Sequence, residues 1–331
     1  MRIPALLLTL SLVACSSSDD EPEGPGEPVY GEEWTVDWGP VTVASGMEDT
    51  RCVVKRVGND GPIRIGKMVN ELGDASHHMV VYRLSEGEEI LEPTPCTPFV
   101  DVLDPSRGAP LAVTQKESEV IELPPGVAYT LAPDQLVRIE MHYINTGDQD
   151  VEVAASTTLV EIPDEDFQYE ADFLFIGNPD IEIGPHAEFT LGPSFLPLPD
   201  ELADIHVFAI TGHEHQWGTG VEVALAESEA GPDEMVYSPD PFLWNEPETT
   251  YHEPALDIPG GSGFRFTCTY YNDSNDTVDF GESANDEMCF FWAYYYPSHG
   301  AKVCAHSDQY NVDLCCPGSS LCSYLEDFLQ Q

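Results

Sequence analysis

Six side chains able to hold a metal are spread along the sequence: the adjacent His77 and His78, then His142, the pair His213 and His215, and Met288. Each lies in or beside an apolar, strand-like run. Together they form two sets of three, one of nitrogens only, the other of two nitrogens and a sulfur. Imidazole serves zinc, copper and iron alike, but a thioether among the ligands favours copper, above all as Cu(I). These residues therefore read as a two-copper redox protein. Taken singly the fragments say less. Residues two apart on a strand face one way, so His213 and His215 can converge on one ion, although an isolated H-x-H is common. A methionine before an aromatic strand most often fills a gap in a core, and a lone strand histidine such as His142 is most often structural. His77 and His78 are neighbours and would face apart on a regular strand. Both reach one metal only at a strand start or bend, which the GDAS turn at 73–76 supplies. Gly212, Gly218 and Gly220 are read as tight bends around the H-x-H motif. His186, His206, His252, His299 and His306 are read as structural or surface residues.

The elements that must position these ligands are strands. Short β-branched or aromatic runs at 34–38, 50–57, 78–84, 136–143 and 151–160 are bounded by Gly, Pro, Asn and Asp, and the same style returns at 189–191, 205–210, 220–225, 264–271 and 290–296. Many short strands with regular turn signals predict an all-β chain of sandwich domains. The best short helix candidate is 320–329. A polar break, IPDED at 162–166, separates two strand-rich halves without visible repeat. The expected limits are 34–163 for the first domain, 164–304 for the second and 305–331 for a cysteine-rich C-terminal extension.

The first residues address the compartment. A basic start at Arg2, an apolar run and Leu12-Val13-Ala14-Cys15 resemble the lipobox of bacterial lipoproteins. That resemblance implies a signal peptide at 1–14, lipidation of Cys15 and an extracytoplasmic protein anchored by its N-terminus. Ser16 rather than Asp after the cysteine resembles sorting to the outer membrane or cell surface. Residues 15–33, acidic and rich in Ser, Pro and Gly, are too polar to fold and read as a flexible tether. With 60 acidic against 12 basic residues the formal net charge is −48, which excludes the electrostatic footprint of a nucleic-acid binder and disfavours adhesion to anionic lipid. The charge is read as serving solubility or a salty setting. Nine cysteines less Cys15 leave an even number in an exported chain, so a disulfide framework is expected.

In combination, SHHMVVY at 76–82, IEMHY at 139–143, GHEH at 212–215 and DEMC at 286–289 resemble the copper type II, ascorbate-dependent monooxygenases, the family of peptidylglycine α-hydroxylating monooxygenase and dopamine β-monooxygenase. GFRFTCTYYN at 263–272 and YYPS at 295–298 are closer to the dopamine enzyme. The resemblance spans about residues 34–304, with all six ligands in family order. It implies two tandem jelly-roll-like β-sandwiches, each carrying one copper, with a solvent-filled cleft between them. His77, His78 and His142 would hold the electron-transfer copper, and His213, His215 and Met288 the catalytic one. It further implies the bridges Cys52–Cys96 and Cys268–Cys289, which leaves Cys304, Cys315, Cys316 and Cys322 in pairings the sequence does not assign. The implied reaction takes electrons singly from ascorbate or a similar reductant and uses dioxygen to hydroxylate a C–H bond of a small organic substrate.

The chain departs from the peptide-hydroxylating relatives where they carry an Arg before the H-x-H motif and an Asn and a Tyr after the Met-Cys pair. Thr211, Phe290 and Trp292 stand there instead. Without the arginine a peptide carboxylate is disfavoured. Phe290 and Trp292 would suit an aromatic or apolar substrate, or a cation stacked on Trp292, and equally fit a buried strand face. The rival reading is a non-enzymatic copper lipoprotein that stores, delivers or senses the metal. A zinc hydrolase is a more distant third, needing Glu214 or a remote residue as a further ligand.

Overall fold

The structure is a computed structural model that describes residues 29–73, 75–98, 108–281, 283–317 and 322. The signal peptide with Cys15, the tether up to residue 28 and, apart from Cys322, the 320–329 helix candidate lie outside the described residues. The chain is all-β and built of paired sheets, as the short β-branched and aromatic runs demand. No helix among the described residues is long and apolar enough to cross a membrane.

Strands from Glu33–Val43 to Tyr169–Glu170 pair only among themselves, and those from Asp172–Gly177 to Val312–Cys316 do the same. In the first half a five-stranded sheet runs Ile90–Pro95, Glu48–Arg56, Leu136–Ile144, Ser76–Leu84, Gly108–Thr114, and a six-stranded sheet gathers around Val151–Glu161 and Ile63–Leu72. In the second half a six-stranded sheet runs Thr249–Ile258, Ile205–His213, Phe290–Tyr296, Asp172–Gly177, Lys302–Ser307, Val312–Cys316. A four-stranded sheet is centred on Gly263–Asn272 and Gly218–Ala226. The crossing from one half to the other falls after Glu170, because Tyr169–Glu170 still pairs, in parallel, with Val127–Leu131. The polar break at 162–166 is a turn that precedes this strand. Likewise the expected limit at residue 304 falls inside Lys302–Ser307, since the cysteine-rich stretch supplies two strands of the sheet through Cys316.

Period-two alternation in the second half's six-stranded sheet explains how the halves meet. Leu174, Ile176, Val207, Phe291, Ala293 and Tyr295 turn toward the four-stranded sheet and form that half's own core. Their neighbours Phe173, Phe175, Phe208, Phe290, Trp292 and Tyr294 turn the other way and join the first half's core, with Val80, Tyr82 and Val113, in one continuous cluster. Buried on both faces, these strands read as unbroken apolar runs. One glycine makes the contact surface flat. A Cβ on Gly177 would lie 2.2 Å from the Phe290 ring, which stacks on Phe175 at 4.7 Å. Gly177→Ala should therefore overpack this layer and lower unfolding stability by about 1–3 kcal/mol. Denaturant unfolding checks it, and an unchanged midpoint would mean that Phe290 has room to move.

Among the described residues four disulfides staple the sheets: Cys52–Cys96, Cys268–Cys289, Cys304–Cys315 and Cys316–Cys322. The first two are the pairs that the resemblance implies. The third joins directly opposed residues of the last two strands.

Candidate metal centre

The two central strands of the first half's five-stranded sheet set His78 directly opposite His142, with ring centroids 5.0 Å apart. Regular alternation would then send His77 to the other face. The register of Ser76–Leu84 instead shifts between Ser76 and His78, next to Ala75 in the left-handed region (φ 62°), and this bend brings His77 to the same side. Ring nitrogens of His77, His78 and His142 all lie within 4.8 Å of one another, and all three residues are buried.

The second set is built across Ile205–His213 and Phe290–Tyr296. Thr211 pairs with Trp292 and His213 with Phe290, and past the paired residues His215 is tied to the Met288 segment through the Asp286 carbonyl and the Glu287 carboxylate. Met288, His213 and His215 are 4%, 2% and 1% exposed. The strand register shifts between Gly218 and Gly220, where a bend is expected, and Gly212 and Gly218 are also sites of close approach. A Cβ on Gly212 would meet Val221 at 2.8 Å, and one on Gly218 would meet the Glu214 side chain at 2.3 Å. Glu214 turns away from the two histidines, with its carboxylate accepting the Gly220 N–H at 3.1 Å, so it is not placed as their third ligand and the zinc reading loses its nearest donor.

Hydrogen bonds to one ring nitrogen fix which nitrogen is left for a metal. His142 donates through Nε2 to Glu48 at 2.8 Å, leaving Nδ1. His213 donates through Nδ1 to the Gln115 side-chain oxygen at 2.5 Å, and the orientation of that amide is set by its N–H on the Gly212 carbonyl at 3.5 Å. His215 donates through Nδ1 to the Asp286 carbonyl at 3.2 Å. His77 Nε2 and His213 Nε2 are buried with no hydrogen-bond partner among the described residues. Burial, reinforced by the neighbouring imidazoles, pushes His77, His78 and His213 well below the usual histidine range, and His215 down to about 4. Imidazole lone pairs buried close together without a hydrogen-bond donor are costly unless a cation accepts them. The residues present fit a soft metal ion.

Two carboxylates complete the site, and neither was singled out from the sequence. Glu48 holds His142 and also accepts the Ala284 N–H at 3.0 Å, and its bond with His142 holds its carboxyl down at about 2 against the opposing effect of burial. Glu287, fully buried, accepts backbone N–H groups from His215 at 2.8 Å, Trp217 at 2.7 Å and Met288 at 3.1 Å, tying the H-x-H turn to the methionine. Burial raises its carboxyl to about 7 despite these bonds. Among 60 acidic residues no composition signal marks these two. Glu287 has only its place beside Met288 to betray it.

The expected solvent-filled cleft between the two sets is corrected. The His77 ring lies 6.1 Å from that of His213 and 5.6 Å from that of His215, and His78 lies 5.9 Å from His213. The physical reason is the aromatic face described above, which buries itself against the first half and draws the sets together. Thr211, Phe290 and Trp292, expected near a substrate, are inside that contact. Thr211 hydrogen-bonds Thr249 at 2.9 Å, Phe290 stacks on Phe175, and Trp292 lies 5.8 Å from the His213 ring. Open space instead adjoins His77, in a cavity of about 390 Å³ lined by Ser76, His77, Gln115, Lys116 and Trp244 among others.

Fold and site thus give an all-β protein in which buried imidazoles from both halves adjoin. Residues 196–314, which contain His213, His215 and Met288, match the model of a family described as copper type II ascorbate-dependent monooxygenase, C-terminal domain. That match supports this family and, with it, copper- and ascorbate-dependent monooxygenation as the general kind of function. Among solved structures, the glycosylasparaginase PNGase F from Flavobacterium meningosepticum is similar over 82% of this chain and 97% of its own, at 11% identity and a TM-score of 0.35. A triple-jelly-roll structure from an archaeal virus is similar over 81% of this chain and 61% of its own, at 10% identity and a TM-score of 0.22. At such scores neither likeness carries an argument.

Proposed function

We propose that this chain is an extracytoplasmic, lipid-anchored copper monooxygenase that hydroxylates a C–H bond of a small organic substrate. His77, His78 and His142 would hold one copper, and His213, His215 and Met288 a second. Copper bound there supplies one-electron redox chemistry and activation of dioxygen, with ascorbate or a similar donor as reductant. The observation that carries the reading is the clustering of these buried rings, each of His142, His213 and His215 with one nitrogen occupied by Glu48, Gln115 or the Asp286 carbonyl, and with His77 Nε2 and His213 Nε2 lacking a hydrogen-bond partner among the described residues. The protein's own part is orientation and exclusion of water. Glu48, Gln115 and the Asp286 carbonyl fix ring tautomers, Glu287 sets the H-x-H turn against Met288, and the aromatic layer around Trp292 keeps the site dry. The first half, the lipid anchor and the number of coppers are parts of this proposal that go beyond the family match.

The near-complete burial of all six ligands favours a second reading, a protein that holds copper without turnover. Reconstitution of the chain without its signal segment should give two coppers per chain, counted by elemental analysis and by electron paramagnetic resonance after oxidation. Reductant-dependent dioxygen uptake in the presence of a substrate panel, coupled to a hydroxylated product, then separates the readings. Two coppers with no uptake would favour the holding protein, and one or none would sink the two-site proposal.

A further inference from the structure

The second ligand set is not completed by the second half of the chain. Its H-x-H histidines and methionine come from Ile205–His213 and its continuation and from the segment before Phe290–Tyr296. The group that decides which His213 nitrogen faces the interior is Gln115, which follows the first-half strand Gly108–Thr114. Three features make this more than a chance contact. Gln115 is 6% exposed. Both ends of its amide are used on adjacent residues of the second half, the oxygen on His213 Nδ1 and the nitrogen on the Gly212 carbonyl, and a turned-over amide would set its oxygen against the Gly212 carbonyl oxygen, two acceptors with no proton between them. And the nitrogen it releases, His213 Nε2, is buried with no hydrogen-bond partner among the described residues.

A second crossing runs from the same half. Glu48, bound to His142, also accepts the Ala284 N–H at 3.0 Å and the Ser283 O–H at 3.4 Å, in the segment that leads to Asp286, Glu287 and Met288. The residue that orients His142 is thereby bonded to the segment that carries Met288, as Gln115 is to His213.

We infer that Gln115 is a positioning residue for the second ligand set, supplied in trans by the first half, and that it commits His213 to the Nδ1–H tautomer so that Nε2 faces the metal. The consequence is that the second set is ready for a metal only while the two halves are closed on each other. If they part, His213 loses the acceptor for Nδ1–H, either tautomer becomes available to it, and a metal there is held more weakly. Closure of the interface and readiness of the second site are one event, with Gln115 as the link. The inference rests on the copper reading for its effect on metal affinity, but the tautomer is a property of the metal-free chain.

The test uses the full mature chain. In the metal-free protein, long-range proton–nitrogen spectra of the histidine rings, with His213 assigned from a His213→Ala sample, should show His213 as the Nδ1–H tautomer. Gln115→Met, which keeps length and loses the acceptor, should shift it toward the Nε2–H form. Competition with a Cu(I) chelator should then show affinity at the second set falling about 10–100-fold in Gln115→Met, the usual cost of losing a ligand-orienting partner. The His77, His78 and His142 set should change by less than about 3-fold, and Gln115→Glu, which restores an oxygen acceptor, should recover most of the loss. A wild-type His213 in the Nε2–H form would overturn the inference without reference to any variant. So would an unaltered second-set affinity in Gln115→Met, or an equal loss at both sets. If the chain takes no copper at all, the proposed function fails, and the tautomer result still decides the role of Gln115.

Discussion

Met288→Ile is expected to abolish turnover, by at least about 100-fold, while leaving one copper per chain at His77, His78 and His142. The size of the effect follows from the ligand set. A thioether is the soft donor that favours Cu(I), and without it two imidazoles remain at the second site. The fold should survive, because isoleucine has a similar volume and Met288 already sits in an apolar environment at 4% exposure, beside a segment pinned by the Cys268–Cys289 bridge. Copper content, the loss of sulfur scattering in X-ray absorption of the reduced protein, and dioxygen uptake together read the outcome. Unchanged uptake with the first copper in place would remove Met288 from the site and turn it back into the core gap-filler that its sequence context equally permits.

Glu287→Ala should be the most damaging substitution of a residue that is not itself a ligand. One carboxylate accepts three backbone N–H groups, from His215, Trp217 and Met288, in a place with no access to water. Its removal leaves three buried donors without an acceptor, at roughly 1–3 kcal/mol each, offset in part because a buried carboxylate whose own ionisation is disfavoured is also removed. A net loss of about 3–5 kcal/mol is expected. The His215 and Met288 segments lose their common anchor, so copper at the second set should fall together with stability. Glu287→Gln, which keeps one oxygen acceptor, should be intermediate in both. Denaturant midpoints and copper titration check this. A Glu287→Ala protein within about 1 kcal/mol of the parent would show that water enters and satisfies those donors.

These two residues mark where the sequence was informative and where it was silent. His77, His78, His142, His213, His215 and Met288 were legible because imidazole and thioether are scarce and chemically distinctive, and because H-x-H on a strand has a geometric consequence that spacing alone conveys. The all-β architecture was legible for a similar reason, since β-branched and aromatic runs between turn residues describe strands locally. Glu48, Glu287 and Gln115 were not. An acidic residue carries no signal in a chain with 60 of them, and an amide after a strand carries none anywhere. Their roles lie in partners 94, 72 and 98 residues away in the chain.

By itself, then, the sequence determined which atoms are available to a metal, which strands carry them and which compartment to expect, all properties of short segments. The tertiary structure decided that His77 joins His78 on one side, through a register shift that strand alternation does not foretell. It decided that Phe290 and Trp292 seal an interface rather than line open space, because both faces of their sheet are buried. It also drew the two ligand sets together, with an acceptor from one half governing a ring in the other. Such arrangements are set by long-range packing of apolar faces, whose register and partners depend on the whole chain at once.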